Sequence, residues 1–311
     1  MLALAFSALL PIALIIALGH VLRRSGFPGE AFWPQAERLA YFVLLPLLFT
    51  WSLYKADLGG VPVPGMIAGL AGPAVLGAVI LLIANRGLNF DGPVLTSVVQ
   101  GGIRFNNYVG VTAAVGLLGV SGAALAAVTN AILVPTVNVL CALVFARYGG
   151  RQQTAFGVVK SIALNPLILG CAGGVALRLT GIVLPPGIEG FLQAMGQAAL
   201  PIGLLCVGAA LNWEALGRGM RPALVATSVK FLLVPAITVA ICLAVGLEGP
   251  AALVVFIIQC LPTASSSYVM ARQLGGDAPL MAGIIAFQTV IAVVTVPLAL
   301  VLVAPMIGAV V

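Results

Sequence analysis

Charge is scarce in this sequence. Only 7% of its 311 residues are Asp, Glu, Lys or Arg, and histidine occurs once, at His20. An ordinary soluble domain carries about a quarter charged residues. So thin a polar coat cannot cover a globular surface, which excludes a water-soluble fold for the chain. Cysteine occurs five times (Cys141, Cys171, Cys206, Cys242, Cys260), never as CxxC and never at a Cys/His ligand spacing. That excludes a structural zinc module and leaves five small apolar side chains. No HExxH is present, and His20 has no acidic partner within its apolar run, which argues against a hydrolase built on Ser265–Ser267. The formal charge of +6 is spread over short loops with no basic, aromatic-interleaved face. Nucleic acid is therefore not an expected partner, and no cofactor or metal is expected.

Apolar length is what the chain has instead. It is 62% hydrophobic with a mean hydropathy of +1.20, so its solvent is largely lipid. A crossing helix needs about 20 apolar residues. Read from one charged or Gly/Pro break to the next, the sequence predicts ten spans, near 2–22, 36–54, 63–84, 93–118, 121–146, 157–178, 189–211, 222–246, 249–272 and 279–304. The first run lacks a basic leader, is too long for a signal core and is followed by Arg23-Arg24, so it reads as a retained helix. Loops after odd-numbered spans hold Arg23, Arg24, Arg38, Arg86, Arg147, Arg151, Arg218, Arg221 and Arg272; loops after even-numbered spans hold only Lys55 and Arg178. Positive charge stays inside. The expectation is a multi-pass protein of the cytoplasmic membrane with both termini outside.

The two halves resemble each other. PIALIIALGHVLRRSG (11–26) aligns without a gap on PLILGCAGGVALRLTG (166–181), an offset of 155, with Pro11/Pro166, Gly19/Gly174, Leu22/Leu177, Arg23/Arg178 and Gly26/Gly181 identical. The same offset pairs Leu45-Pro46 with Leu200-Pro201. QGGIRFNNYV (100–109) also resembles QCLPTASSSYV (259–269). Five spans per half is an odd number, so the halves, 1–148 and 149–311, insert in opposite directions. Such an inverted-topology repeat is common in secondary transporters.

Polar groups inside the spans are few, so their positions are informative. The fourth span carries Arg104, Asn106 and Asn107 between Gly101-Gly102 and Gly110; the ninth carries Thr263 and Ser265–Ser267 after Pro262. Glycine and proline both permit a helical ladder to break. Unwound backbone at that depth must be buried in protein or line a cavity. Arg104 lies about 16 Å into its span, near the midplane. Interrupted helices at matching places in the two halves point to a transport site, and half-helix N-termini there suit an anion. Arg104 and Lys230 are the deep basic residues, and the acidic residues fall in loops or at span ends. The substrate is then the missing anion. Asn130, Gln100, Gln259 and Gln288 are further neutral oxygens able to line a solute or sodium path.

With PIALIIALGHVLRRSG, LAYFVLLPLLF (39–49), RFNNYVG (104–110) and LPIGLLCVGAAL (200–211), the chain resembles the auxin efflux carrier family, and within it the bacterial malonate-transporter-like members. The resemblance extends over essentially the whole chain. It departs at Thr112, where many members have proline. It implies ten transmembrane helices in two inverted five-helix repeats, with crossed, broken fourth and ninth helices. It also implies an elevator motion of helices 3–5 and 8–10 against a scaffold of helices 1, 2, 6 and 7, as a homodimer. Substrates would be small organic anions such as malonate or malate, facing Asn106 or Asn107 and Ser265–Ser267. A sodium-coupled organic anion symporter of bile-acid-carrier type is the alternative.

Overall fold

The computed structural model describes residues 2–56, 60–149, 160, 163–211 and 219–308, with side chains from Leu10 onward. Arg151 and Arg218, counted above for sidedness, and the start of the sixth span lie outside them. Among the described residues the protein is helical and has no strand. The helices are α1 (Leu2–Arg24), α2 (Phe32–Leu39), α3 (Leu45–Lys55), α4 (Val63–Leu88), α5 (Gly92–Ile103) and α6 (Asn107–Tyr148), followed by α7 (Pro166–Leu179) and α8 (Pro186–Ala209). Then come α9 (Met220–Ser228), α10 (Val234–Ala244), α11 (Gly249–Gln259), α12 (Ser266–Leu274) and α13 (Ala278–Val303). Among the described residues, six helical stretches are long and apolar enough to cross a membrane: Phe32–Lys55, Val63–Leu88, Gly92–Tyr148, Pro186–Ala209, Met220–Ala244 and Ala278–Ile307. This is a multi-pass membrane protein.

Among the described residues, two stretches run through a π-turn. Ala40–Leu44 joins α2 to α3, and Val229–Leu233 joins α9 to α10. Each turn ends two residues before a proline, Pro46 or Pro235. Proline has no N–H and its ring crowds the carbonyl four residues back. The ladder relaxes by widening, so Leu45 N–H bonds Ala40 C=O and Val234 N–H bonds Val229 C=O, five residues back. Gly92–Tyr148 is too long for one crossing: 57 residues of helix span about 85 Å, against a hydrocarbon core of about 30 Å. It divides at Arg104–Asn106 and again at Gly119, whose φ of 60° and ψ of −136° turn the chain back. A Cβ at Gly119 would meet nothing; its positive φ is what calls for glycine.

Small residues let the helices touch. A Cβ added at Gly19 on α1 would overlap the Leu205 carbonyl on α8, and one at Gly208 would overlap the Ile16 carbonyl. Gly174 on α7 lies against the Thr50 backbone of α3, and Gly170 against Pro46. Adding 155 to Gly19 gives Gly174, and adding 155 to Thr50 gives Leu205. The contact between α1 and α8 is thus repeated between α7 and α3 with the partners exchanged. Around these, α3 also packs on α8, α4 packs on α10, α5 packs on α9, and α11 packs on α6.

Candidate functional site

Two interrupted helices meet in the interior. α5 ends at Ile103 and α6 begins at Asn107; α11 ends at Gln259 and α12 begins at Ser266. At 12 and 11 residues, α5 and α11 reach about 16–18 Å, roughly half the membrane. The Asn106 N–H donates to the Pro262 carbonyl at 2.8 Å, so the two gaps touch through their backbones. One expectation is corrected here: Gly101, Gly102 and Gly110 do not lie in a gap but inside α5 and α6. They are packing positions, where a Cβ would press on Ile284, Leu81 and Leu261 respectively. The gap falls instead at Arg104–Asn106, beside the proline-bearing gap of the other helix.

A broken helix leaves N–H and C=O groups without partners, and buried ones must be satisfied. Short amide and hydroxyl side chains do this. Asn106 caps α6, its side-chain oxygen accepting the N–H groups of Tyr108 (3.1 Å) and Val109 (3.2 Å). Gln288 on α13 accepts the Thr263 N–H at 2.9 Å and donates to the Gly101 carbonyl at 2.9 Å, tying one gap to the other. The Thr263 hydroxyl reaches the Gln100 carbonyl at 3.4 Å and lies 3.2 Å from the Ser267 hydroxyl.

Arg104 follows the last residue of α5, where a cation complements the negative end of the helix. It is 8% exposed. Its guanidinium donates to Asn138 Oδ1 (2.9 Å) and Ser266 Oγ (3.1 Å) and touches Met270 Sδ (3.6 Å), while Nε has no partner. Each of these partners is neutral, so the charge is solvated but not cancelled. Asn107 is half-buried and its Oδ1 has no partner. Asn130, buried on α6, donates to Ala126 C=O at 2.8 Å and leaves its Oδ1 unpartnered.

Beside the gap lies a cavity of about 420 Å³, lined among others by Arg23, Glu37, Cys206, Ser265, Tyr268 and Arg272. Ser265 faces it and donates to Glu37 Oε1 at 2.5 Å, while the next residue, Ser266, holds Arg104. The guanidinium therefore sits one residue behind the cavity wall. Glu37, which the sequence places at a span end, thus reaches this cavity. α2 begins at Phe32, earlier than the predicted span, and brings Glu37 against the start of α12. At the cavity rim Arg23 pairs with Glu30 at 2.9 Å and also donates to the Ala209 carbonyl at 2.6 Å. The hydrogen bond from Arg23 holds the Glu30 carboxyl below its usual range. A small apolar cavity of about 70 Å³ also touches Val109, Pro262 and Thr289.

The structure thus brings Arg104, Asn106, Pro262, Thr263 and Ser265–Ser267 to one place. It does not bring Lys230 there: that residue is fully buried in the Val229–Leu233 turn and lines neither of these cavities. Sequence reasoning missed Glu37, Asn138, Met270 and Arg272, and placed Gln288 only among spare neutral oxygens. For Gln288 the available signal was a single amide within the predicted span 279–304.

Residues 151–300 match the family model described as membrane transport protein. Over 300 residues, the chain is 25% identical to an uncharacterized transporter of Methanothermobacter thermautotrophicus, covering 93% of this chain and 95% of that protein. It is also 26% identical over 308 residues to a Rhizobium meliloti protein provisionally named a malonate transporter, covering 92% of each.

Proposed function

Membership of the membrane transport protein family, carried by residues 151–300, is the premise from which we propose that this chain is a secondary carrier of a small organic anion, a mono- or dicarboxylate such as malonate or malate. The observation that carries the reading is the Arg104 guanidinium, held at two touching helix gaps by neutral groups alone and one residue behind a polar cavity. A fixed cation in a low-dielectric site attracts a carboxylate far more strongly than the same cation in water. An anion arriving through the cavity meets Arg272 and Ser265 first; displacing Glu37 from the Ser265 hydroxyl opens the way to Ser266 and Arg104. Asn107 Oδ1 adds an unused acceptor for a protonated carboxyl or a hydroxyl. The size class of the substrate is that of the malonate in the Rhizobium relative's name.

In this reading the chain crosses the cytoplasmic membrane ten times as two inverted five-helix repeats, with both termini outside. α1, α2–α3, α7 and α8 form the scaffold, α4–α6 and α9–α13 move as the carrier domain, and two chains form a homodimer. The exchanged contacts Gly19–Leu205 and Gly174–Thr50 support the repeat, because a two-fold relation sends each into the other. Two near-equivalent packings are what alternating access to a central site requires.

The test is counterflow of radiolabelled malonate, malate and acetate in proteoliposomes, with sodium present or replaced by choline. Arg104→Gln keeps hydrogen-bonding capacity and removes the charge. A charge-assisted hydrogen bond contributes about 1.5–3 kcal/mol, so exchange should fall about 10–100-fold while the protein still elutes as a single species. Undiminished exchange in this variant would remove Arg104 from the mechanism.

A further inference from the structure

Lys230 is set apart from the site just described. It is 0% exposed, and its Nζ has no hydrogen-bond partner. By contrast Arg104 has neutral partners, Arg23 pairs with Glu30, and Lys55 pairs with Glu189. The residue lies in the π-turn that Pro235 imposes, a feature that recurs at functional sites. That turn packs on the last residues of α5 before the gap: Val229 meets Gly102, and Ala226, one turn earlier, meets Gly101. Gln100 on the same stretch of α5 is also 0% exposed, with both polar atoms of its side chain unpartnered. Two polar side chains without partners thus lie buried in the elements that frame the gap.

The charged and titratable groups on the elements packed against this turn are few. α5 has none. α4 has Arg86 at its far end, α9 has Arg221, which lies over the Phe90 ring, and α10 has Cys242. Cys260, just after α11, is within electrostatic reach of Lys230. None is a carboxylate. An ammonium ion without a counterion in such a place is strongly disfavoured, and a neutral amine far less so. Lysine can alternate between the two forms; arginine cannot.

Resting on the carrier reading above, we propose that Lys230 is the proton site that couples transport. Its amine takes one proton from water as the anion enters and returns it to water after the anion leaves, so that anion and proton cross together. In the first step an N–H bond forms on Nζ as a hydronium O–H bond breaks; the release step is the reverse, and nothing is oxidised or reduced. The arriving negative charge supplies the counterion that the elements packed against Lys230 lack. Arg104 holds the anion; Lys230 links its passage to the pH gradient.

The experiment uses the full chain in proteoliposomes with radiolabelled malonate and an internal pH dye. The wild type should exchange malonate at equal pH, and with an alkaline interior it should accumulate malonate while the dye reports acidification. Couplings of this kind typically amount to 5–150-fold, so Lys230→Met should keep exchange within about threefold and lose at least about tenfold in gradient-driven accumulation and proton entry. Lys230→Arg, which keeps the charge but never releases its proton, should lose accumulation as well. Lys230→Gln serves if the methionine variant does not fold. Exchange and accumulation both intact in the neutral variants would overturn the inference alone. No malonate exchange in the wild type would overturn the carrier reading and this inference with it.

Discussion

At the scale of single residues, Gln288 ties the two helix gaps with one amide. It accepts the Thr263 N–H and donates to the Gly101 carbonyl, and it is fully buried. Leucine has a similar volume and neither hydrogen-bonding group, so Gln288→Leu leaves a buried donor and a buried acceptor unpaired. Each such group costs about 1–3 kcal/mol, and the pair should lower the melting temperature of the purified protein by several degrees in scanning fluorimetry. A melting temperature equal to that of the wild type would mean that water or a relaxed backbone satisfies both groups. Arg104 and Ser266 were legible in the sequence as polar residues at matching places in the two halves, and the structure puts them 3.1 Å apart. Glu37 and Asn138 were not legible. Glu37 sits at the edge of an apolar run, where a carboxylate is ordinarily solvated, and only the early start of α2 turns it toward Ser265. Asn138 is 34 residues from Arg104, and nothing local marks it as the partner.

At the scale of elements, glycine decides how closely helices cross. Gly208 and Gly190 share α8, and only the first meets a neighbour. A Cβ at Gly208 would overlap the Ile16 carbonyl, which is backbone and cannot swing aside, whereas a Cβ at Gly190 would meet nothing within 4 Å. Gly208→Ala should therefore force α1 from α8 and lose the monodisperse peak in fluorescence size-exclusion chromatography. Gly190→Ala should leave the peak in place and stabilise the helix by up to about 1 kcal/mol. If both variants behaved alike, the close crossing of α1 on α8 would be wrong. The position of the ninth-span gap was legible because Pro262 cannot donate to a ladder. In the fourth span the glycines misled. Gly101 and Gly102 were free to break the helix, but their lack of a side chain is used to admit Ile284, Ala226 and Leu81. Such a role depends on neighbours far away in sequence.

At the scale of the whole molecule, the question is whether the two halves sit in the membrane upside down to each other. The sequence offset of 155 and the exchanged contacts of Gly19 and Gly174 argue for it from independent directions, one from residue identity and one from packing. The same offset carries Ser25, just past α1, onto Thr180, just past α7, and both are exposed. In an inverted arrangement these equivalent positions face opposite sides of the membrane. The five native cysteines are all buried, so they should give little background with a membrane-impermeant maleimide. On the proposed topology, which puts the loop after α1 in the cytoplasm, Thr180→Cys in intact cells should react at once and Ser25→Cys only after lysis. Labelling of both from the same side would place the halves in parallel. On the proposed carrier mechanism, a parallel arrangement would remove the two-fold symmetry by which one packing opens inward and its counterpart outward, and a site at the gaps would then face one compartment only.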